Sequence, residues 1–307
     1  MTRALLIGLL GLALLLGNAS AASADPALTA KFDAYFASNV FSGAVLVTQH
    51  GAIVYDKAFG LADAGRNIPN QKTTSFHVGS LSRLFIAASV MVRVEKQSLW
   101  STNTVAQFDP GVPNGDKITI GDLLSRGDQA AYNLLAHILE TNSGKPLADV
   151  LDDDFFGPYF MTGSGLDDGS HAGERRMAKG YATGAGGTLT PSMSAPLGSV
   201  FTTTRDALRW TEALFGDRLM SSASRQAMNG GGLIQPAQAL LGPTAYIMAG
   251  QGPGFSPAIV YQQAQDVMVI VLSNRESQPG AMSQIGVYLA ALAISDAGGD
   301  LPVVEHQ

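Results

Sequence analysis

The stretch FHVGSLSRLFIAASV, residues 76–90, begins with the end of a predicted strand, turns at a glycine and continues as an apolar helix that starts at Ser80. Apolar residues at positions 81, 84, 85, 88 and 92 fall on one face of this helix, which we expect to end near Lys96. A serine at a helix start is placed like a nucleophile, because the helix dipole and free backbone N–H groups favour an oxyanion there. Serine is also a normal N-cap residue without any catalysis. One turn later stands Arg83, whose guanidinium keeps its proton at ordinary pH and cannot act as a general base.

The first 24 residues have the composition of a secretory signal peptide. One arginine precedes an apolar run from Ala4 to Leu16, and small residues suitable for cleavage follow, ending at Ala21 or Ala24. This run is shorter than the roughly 20 residues that a membrane-spanning helix needs, and later segments of that length are interrupted by charged or turn residues. We therefore expect a mature chain of residues 25–307 that is periplasmic or secreted, with no membrane span after cleavage.

Composition excludes several classes of protein. The chain has no cysteine, so disulfides and lipids attached to cysteine are excluded. Its formal net charge of −6 and the lack of a basic stripe argue against a nucleic-acid partner. Hydrophobic residues make up 46% and charged residues 14%, which fits a compact domain. The histidines show no metal-ligand spacing, so we predict no metal and no cofactor.

Predicted strands lie near both ends of the mature chain, with helices between them. Segments Ala44–Gln49 and Ala52–Phe59 form a predicted hairpin around His50-Gly51. Residues 245–249 and 258–274 are strand-like, and an apolar helix follows over 281–294; further helices are predicted over 129–142 and after Thr202, capped near Thr204. The pattern predicts an α/β fold in which both chain ends form one antiparallel sheet, with a helical subdomain at roughly 97–200. The acidic run Asp152–Asp154 is typical of a solvated helix start.

Several segments, in order, resemble one family. They are FSGAVLVTQHGAIVYDKAFGLAD (41–63), FHVGSLSRLF (76–85), PNGDKITIGDLLS (113–125), AYNLLAHILETNSGKPLADVLDDDFFGPYFM (131–161), MAKGYAT (177–183), LGSVFTTTRDALRW (197–210) and GPGFSPAIVYQQAQDVMVIVLSN (252–274). The chain resembles serine β-lactamase-like proteins of the class C type, which include penicillin-binding D-amino peptidases and related esterases. The resemblance implies a β-lactamase/transpeptidase-like fold. The segment before Gln129 is shorter than the family's, which predicts a reduced helical subdomain.

The family's first catalytic motif is Ser-x-x-Lys, in which the serine is the nucleophile and the lysine a deprotonable amine. The resemblance implies Ser80 as nucleophile, with Arg83 in place of the lysine. The second motif, Tyr-x-Asn, supplies a phenol that relays protons and an amide that holds substrate. Counting back from Tyr132 puts Gly127 at the tyrosine position and Gln129 at the asparagine position.

The third motif, Lys- or His-x-Gly on a sheet strand, supplies a polar group beside the substrate and a glycine that admits the acyl chain. Counting back from Pro253 puts Met248 at the polar position and Gly250 at the glycine. The resemblance therefore implies a catalytic serine without its family proton handlers, and a substrate cleft around Ser80, Arg83, Gln129 and Gly250.

Two other side chains are candidate replacements for the missing base. His77 precedes Ser80 by three residues, and histidine titrates near neutral pH. Tyr246 is two residues before Met248 and so lies on the same face of its predicted strand. The alternative interpretation is a packing role for Tyr246, and for His77 a strand-end side chain that points away from Ser80.

Three hypotheses follow for the function. The first is an exported, catalytically impaired family member, a pseudoenzyme with a residual cleft for a small acyl or peptide ligand. The second is an active serine hydrolase of the β-lactamase, esterase or D-amino peptidase type, acylated at Ser80 and activated by His77 or Tyr246. The third is a protein-binding module that presents an exposed apolar patch where the helical subdomain is reduced.

Overall fold

A computed structural model of the chain describes residues 25–167, 176–183, 189–191 and 199–298; the predicted signal peptide lies outside these residues. The helices are α1 (Pro26–Ser38), α2 (Ser82–Glu95), α3 (Ile120–Arg126), α4 (Gln129–Ser143), α5 (Leu147–Leu151), α6 (Thr204–Phe215), α7 (Ser222–Met228), α8 (Gln238–Leu241) and α9 (Ala281–Asp296). The strands are β1 (Gly43–Gln49), β2 (Ala52–Phe59), β3 (Leu61–Asp63), β4 (Ile68–Pro69), β5 (Phe76–His77), β6 (Gly165–Leu166), β7 (Tyr181–Thr183), β8 (Leu189–Pro191), β9 (Val200–Thr202), β10 (Gln235–Pro236), β11 (Ala245–Ala249), β12 (Ser256–Gln262) and β13 (Val267–Ser273).

The central sheet has six strands in the order β10-β11-β12-β13-β1-β2. Every neighbouring pair in it is antiparallel. Strand β1, near the start of the described chain, pairs along its whole length with β13, near its end, from Gly43 opposite Ser273 to Gln49 opposite Val267. The prediction that both chain ends share one antiparallel sheet is therefore confirmed.

The predicted hairpin forms between β1 and β2 as expected. His50 and Gly51 connect the strands with φ of +50° and +73°, the left-handed values that a two-residue hairpin turn requires. Glycine takes such a φ without cost, and histidine is among the few other residue types that adopt it at appreciable frequency. The local sequence is thus sufficient to bring these two strands together.

Successive side chains of the central strands enter two separate cores, because a strand alternates its side chains between the faces of a sheet. On one face, Leu46, Ile270 and Leu272 pack with α2, α4 and α6. On the other face, Val45, Val47 and the odd-numbered valines of β13 pack with α1 and α9. The sheet is therefore buried on both sides, and helix α2 lies in the first of these cores.

Helix ends follow the sequence signals closely. Asp128 caps α4 by accepting a hydrogen bond from the Ala131 N–H, and Gly144 ends the helix in the left-handed conformation. Thr203 caps α6 by accepting from the Asp206 N–H. Among the described residues, no helix is long and apolar enough to cross a membrane.

The acidic run is solvated only in part: Asp152 and Asp153 are exposed, whereas Asp154 is not. Asp152–Phe156 form a π-helical turn, and the Asp154 carboxylate is buried, with its side chain only 5% exposed. It accepts hydrogen bonds from the Ser89 hydroxyl and the Arg93 guanidinium of α2. The prediction of a solvated helix start was therefore wrong for Asp154, because a cation on a different helix compensates its burial.

Candidate active site

A cleft of about 380 Å³ lies where the start of α2, the start of α4 and the turn after β11 meet. Its volume is near the lower end of the range for small-molecule sites. The residues that line it are Gly79, Ser80, Ser82, Arg83, Ile86, Gln129, Asn133, Ser199, Gln251, Gly252 and Pro253. Three of the residues predicted to form a substrate cleft, Ser80, Arg83 and Gln129, are thus brought together.

Ser80 lies inside a 3₁₀ turn, Gly79–Leu81, that precedes α2. Neither this turn nor α2 is capped by a side chain, so the interpretation of Ser80 as an N-cap was wrong. The Ser80 Oγ instead accepts a hydrogen bond of 3.2 Å from the Gln251 N–H. In return, the Ser80 N–H donates to the Gln251 carbonyl at 3.1 Å. The hydroxyl and the backbone N–H of Ser80 are therefore both hydrogen-bonded to the backbone of Gln251.

Gly79 makes this pairing possible. Its φ is +52°, and a Cβ at this position would lie 2.3 Å from the Gln251 carbonyl oxygen. Glycine is required on both counts, since other residues are strained at this φ and their Cβ would displace the Gln251 backbone. The glycine turn seen in the sequence thus has a specific packing role.

Arg83, in the first turn of α2, lines the cleft. Its Nε donates to the Ser80 carbonyl at 3.2 Å, and one terminal nitrogen donates to the Gly127 carbonyl. The guanidinium carbon lies 6.0 Å from the centre of the Tyr132 ring, at the outer limit of a cation–π contact. Burial raises the pKa of Tyr132 to about 12, which keeps its phenol protonated at neutral pH.

The residues at the positions of the second motif, Gly127 and Gln129, lie where α3 ends and α4 begins. Gly127 ends α3 with φ of +68°, and a Cβ there would lie 2.8 Å from the Gly231 carbonyl oxygen. A larger side chain at position 127 would therefore be strained and would displace Gly231. Gln129 begins α4 at the cleft, and its Nε2 donates to the Asn133 Oδ1 at 2.9 Å.

The residues at the positions of the third motif, Met248 and Gly250, lie near the cleft but do not line it. Met248, on β11, is completely buried in the hydrophobic core. Gly250 follows that strand, and a Cβ on it would lie 2.6 Å from the Val78 carbonyl oxygen and 2.9 Å from the Leu81 nitrogen. Gly250 therefore permits the close approach of β11 to the Ser80 turn, whereas the residue that faces Ser80 is the next one, Gln251.

His77 and Tyr246 are not brought to Ser80. The Nε2 of His77 lies 3.2 Å from the Asp167 carboxylate, and its ring packs edge-on against Phe255. Tyr246 packs against the Phe215 ring, with centroids 5.2 Å apart. Within the described part of the chain, the hydroxyl of Ser80 has no hydrogen bond to either residue, so the structure gives neither of them the geometry of a base.

Sequence reasoning missed Gln251, Asn133 and Ser199 as lining residues. Gln251 had a usable signal, since it directly follows the glycine of the third motif. Asn133 lies one helical turn after Gln129, which places the two amides side by side. Ser199 had no signal, because it precedes β9, a strand that pairs with β5 and β6 from distant parts of the sequence. Among the described residues, there is no cluster of three acidic or histidine side chains that could hold a metal.

The two chain ends form one antiparallel sheet that is covered by helices on both faces, and a serine lies just before a buried helix beside it. This arrangement is typical of β-lactamase and transpeptidase-like proteins. The chain belongs to the beta-lactamase family, since the Beta-lactamase family model matches residues 28–126 and 128–293. The family relationship and the fold implied by the sequence resemblance are thus confirmed.

Relatives agree with this assignment. PbpX of Bacillus subtilis (strain 168), which is named as a penicillin-binding protein, is 26% identical over 287 residues, or 80% of this chain and 73% of PbpX. The octameric penicillin-binding protein homologue from Pyrococcus abyssi superposes with a TM-score of 0.72 at 19% identity, covering 89% of this chain and 77% of that one. The D-amino acid amidase from Ochrobactrum anthropi SV3 superposes with a TM-score of 0.70 at 16% identity, covering 88% and 98%. At these identities the two structures show a shared fold.

Proposed function

We propose that this protein is an exported, catalytically impaired member of the beta-lactamase family that binds a small acyl or peptide ligand in the Ser80 cleft without turning it over. Export rests on the signal-peptide composition of residues 1–24. The ligand class rests on analogy with relatives that are named as penicillin-binding proteins or as a D-amino acid amidase.

The observation that carries the proposal is the reciprocal pairing of Ser80 with Gln251. A serine nucleophile must give its hydroxyl proton to a base within hydrogen-bond reach. The partner of the Ser80 Oγ is the Gln251 N–H, which is itself a donor. An acyl-transfer site also needs backbone N–H groups that are free to bind an oxyanion, whereas the Ser80 N–H is occupied by the Gln251 carbonyl.

Arg83 supports the same conclusion. At the position of the family's lysine, a guanidinium supplies positive charge but cannot accept a proton. It is also held by two backbone carbonyls, those of Ser80 and Gly127, which fix it as a donor. Neither the Gln251 N–H nor the Arg83 guanidinium can therefore accept the hydroxyl proton of Ser80.

The test is intact-mass spectrometry of the mature protein after exposure to a reactive fluorophosphonate and, separately, to a penicillin. The Ser80→Ala variant is the matched control, and an active serine hydrolase treated in parallel shows that the reagents work. We expect no adduct on this protein. A mass increase that disappears in Ser80→Ala would overturn the proposal and favour the active serine hydrolase instead.

A further inference from the structure

Helix α9 is far more apolar than its position on the surface requires. Residues 281–295 contain no charged side chain, and a helix that is apolar around most of its circumference is normally buried on all sides. Its inner side packs in the second core, through residues such as Leu289 and Ala293. On its outer side, within the described chain, Tyr288 is 46% exposed, and Ile285 and Leu292 are only half-buried.

Helix α1 lies beside α9 and presents small side chains to the outside. Ala27, Ala30, Ala34 and Ala37 are all exposed, and their spacing places them on one face of the helix. The Tyr35 ring of α1 packs against the Tyr288 ring, with centroids 4.9 Å apart. The exposed alanines of α1 and the outer side of α9 centred on Tyr288 together form what we call the α1–α9 face. It joins a shallow surface to a ridge of larger side chains.

The charges of the α1–α9 face cancel. The charged residues of the two helices are Lys31, Asp33 and Asp296. Lys31 pairs with Asp296 at 3.3 Å, and Asp33 pairs with Lys57 of β2 at 2.6 Å. The chain as a whole has a formal net charge of −6, which makes two copies repel each other. A face without net charge is therefore a place where two copies can approach.

We infer that the α1–α9 face is a dimer interface between two copies of this chain. A two-fold interface is self-complementary, so each feature of one copy must meet its complement on the other. The α1–α9 face carries both complements side by side. The ridge around Tyr288 of each copy lies on the alanine surface of α1 in the other copy. Aromatic enrichment and depletion of unpaired charge are also typical of the centre of an interface.

The size of the face sets the strength of this dimer. The 16 residues of α9 span about 24 Å, and two adjacent helices are about 20 Å wide. The face therefore covers roughly 500 Å² per copy, or about 1,000 Å² in total, which is the lower limit for a specific interface. We accordingly expect a weak dimer, with a dissociation constant of roughly 1–100 μM.

The experiment is sedimentation velocity of the mature protein at concentrations from about 1 to 500 μM, a range that brackets the expected dissociation constant. The sedimentation coefficient should rise from the value of the monomer toward that of the dimer. Ala34→Glu and Tyr288→Glu each place a carboxylate in the interface twice, once per copy, and each should weaken the dimer at least about 10-fold. Ala34 is an exposed helix position, so its replacement by glutamate tests the interface without disturbing the core.

Phe160→Glu is the matched control. It adds the same charge at an aromatic residue that is 76% exposed and belongs to neither helix, and it should leave the dissociation constant unchanged. Circular dichroism checks that all three variants are folded.

A protein that stays monomeric over the whole range would overturn the inference. A dimer that persists unchanged in both Ala34→Glu and Tyr288→Glu would do the same, because the copies would then meet elsewhere. Flotation with phosphatidylcholine vesicles is measured in parallel; a monomer that floats with them would assign the α1–α9 face to lipid instead. Helix α2 and the Ser80 cleft lie on the other side of the sheet, so these results are independent of the proposed function.

Discussion

The contact between Gly79 and Gln251 provides a quantitative test of the Ser80 turn. In Gly79→Ala, the new Cβ would lie 2.3 Å from the Gln251 carbonyl oxygen and 2.5 Å from its carbonyl carbon. The two backbones must separate by about 1 Å to reach ordinary van der Waals contact. This movement lengthens both hydrogen bonds that join Ser80 to Gln251, which now measure 3.1 and 3.2 Å.

Two contributions set the expected loss of stability. A left-handed conformation costs a residue with a Cβ about 1–2 kcal/mol relative to glycine. Each hydrogen bond between Ser80 and Gln251 contributes about 0.5–1.5 kcal/mol, and both are weakened. We therefore expect Gly79→Ala to lower the free energy of unfolding by about 2–5 kcal/mol.

The matched control is Gly144→Ala, at the end of α4. Gly144 has a φ of +67°, but no atom lies within 4 Å of the position of its Cβ. This variant carries the backbone strain alone and should lose about 1–2 kcal/mol. The effect of alanine on the unfolded chain is common to both variants and cancels in the comparison.

Urea-induced unfolding followed by far-UV circular dichroism measures both variants, with linear extrapolation to water. The difference between them isolates the close approach of Gln251. If Gly79→Ala and Gly144→Ala lose the same stability within about 0.5 kcal/mol, the extrapolation error for a matched pair, then Gln251 is not held against Ser80 and the reasoning about the occupied N–H is refuted.

Three further predictions concern buried polar groups. Burial raises the pKa of Asp63, but hydrogen bonds from Lys179 and Arg66 outweigh it and lower the pKa to about 2. Ionised Asp63 therefore contributes roughly 2 kcal/mol to the free energy of unfolding above about pH 4, and this contribution is lost as the pH falls through about 2. The stability difference between wild type and Asp63→Asn in urea unfolding should shrink over the same range. Arg93→Met should cost about 3–5 kcal/mol in the same assay, because it leaves the buried Asp154 without its cation, and the double variant Arg93→Met/Asp154→Leu should recover most of that loss. Tyr132→Phe should leave thermal stability unchanged or raise it by up to about 1 kcal/mol, because the Tyr132 hydroxyl is buried without a partner among the described residues; a loss above 1 kcal/mol would show that it has one.

Much of the fold could be read from local sequence. Nearly continuous apolar runs in residues 44–49 and 267–272 predicted which elements form the sheet, because a strand buried on both faces needs apolar residues at almost every position. The His50-Gly51 pair predicted the hairpin through the φ values that it favours. Asp128 and Gly144 marked the ends of α4 through side-chain capping and left-handed φ. These are properties of short segments, so they do not depend on the rest of the molecule.

The site was predictable only in part. The order of the family segments identified Ser80, Arg83 and Gln129 as neighbours, since the spacing of a motif follows the fold that carries it. It did not reveal that Gln251 would occupy both the N–H and the hydroxyl of Ser80. Nor did it show that His77 would turn to Asp167, or that Asp154 would be buried against Arg93 of another helix.

The sequence by itself determined the main strands and helices, the antiparallel sheet shared by the two chain ends and the position of Ser80 just before α2. Only the tertiary structure decided which groups touch that serine. Periodicity, caps and turns act between residues that are close along the chain, whereas the partner of Ser80, Gln251, comes from a segment far away in sequence. The hydrogen bonds between these two residues are fixed by the packing of whole elements, and so the chemistry of the cleft appears only when those elements are in place.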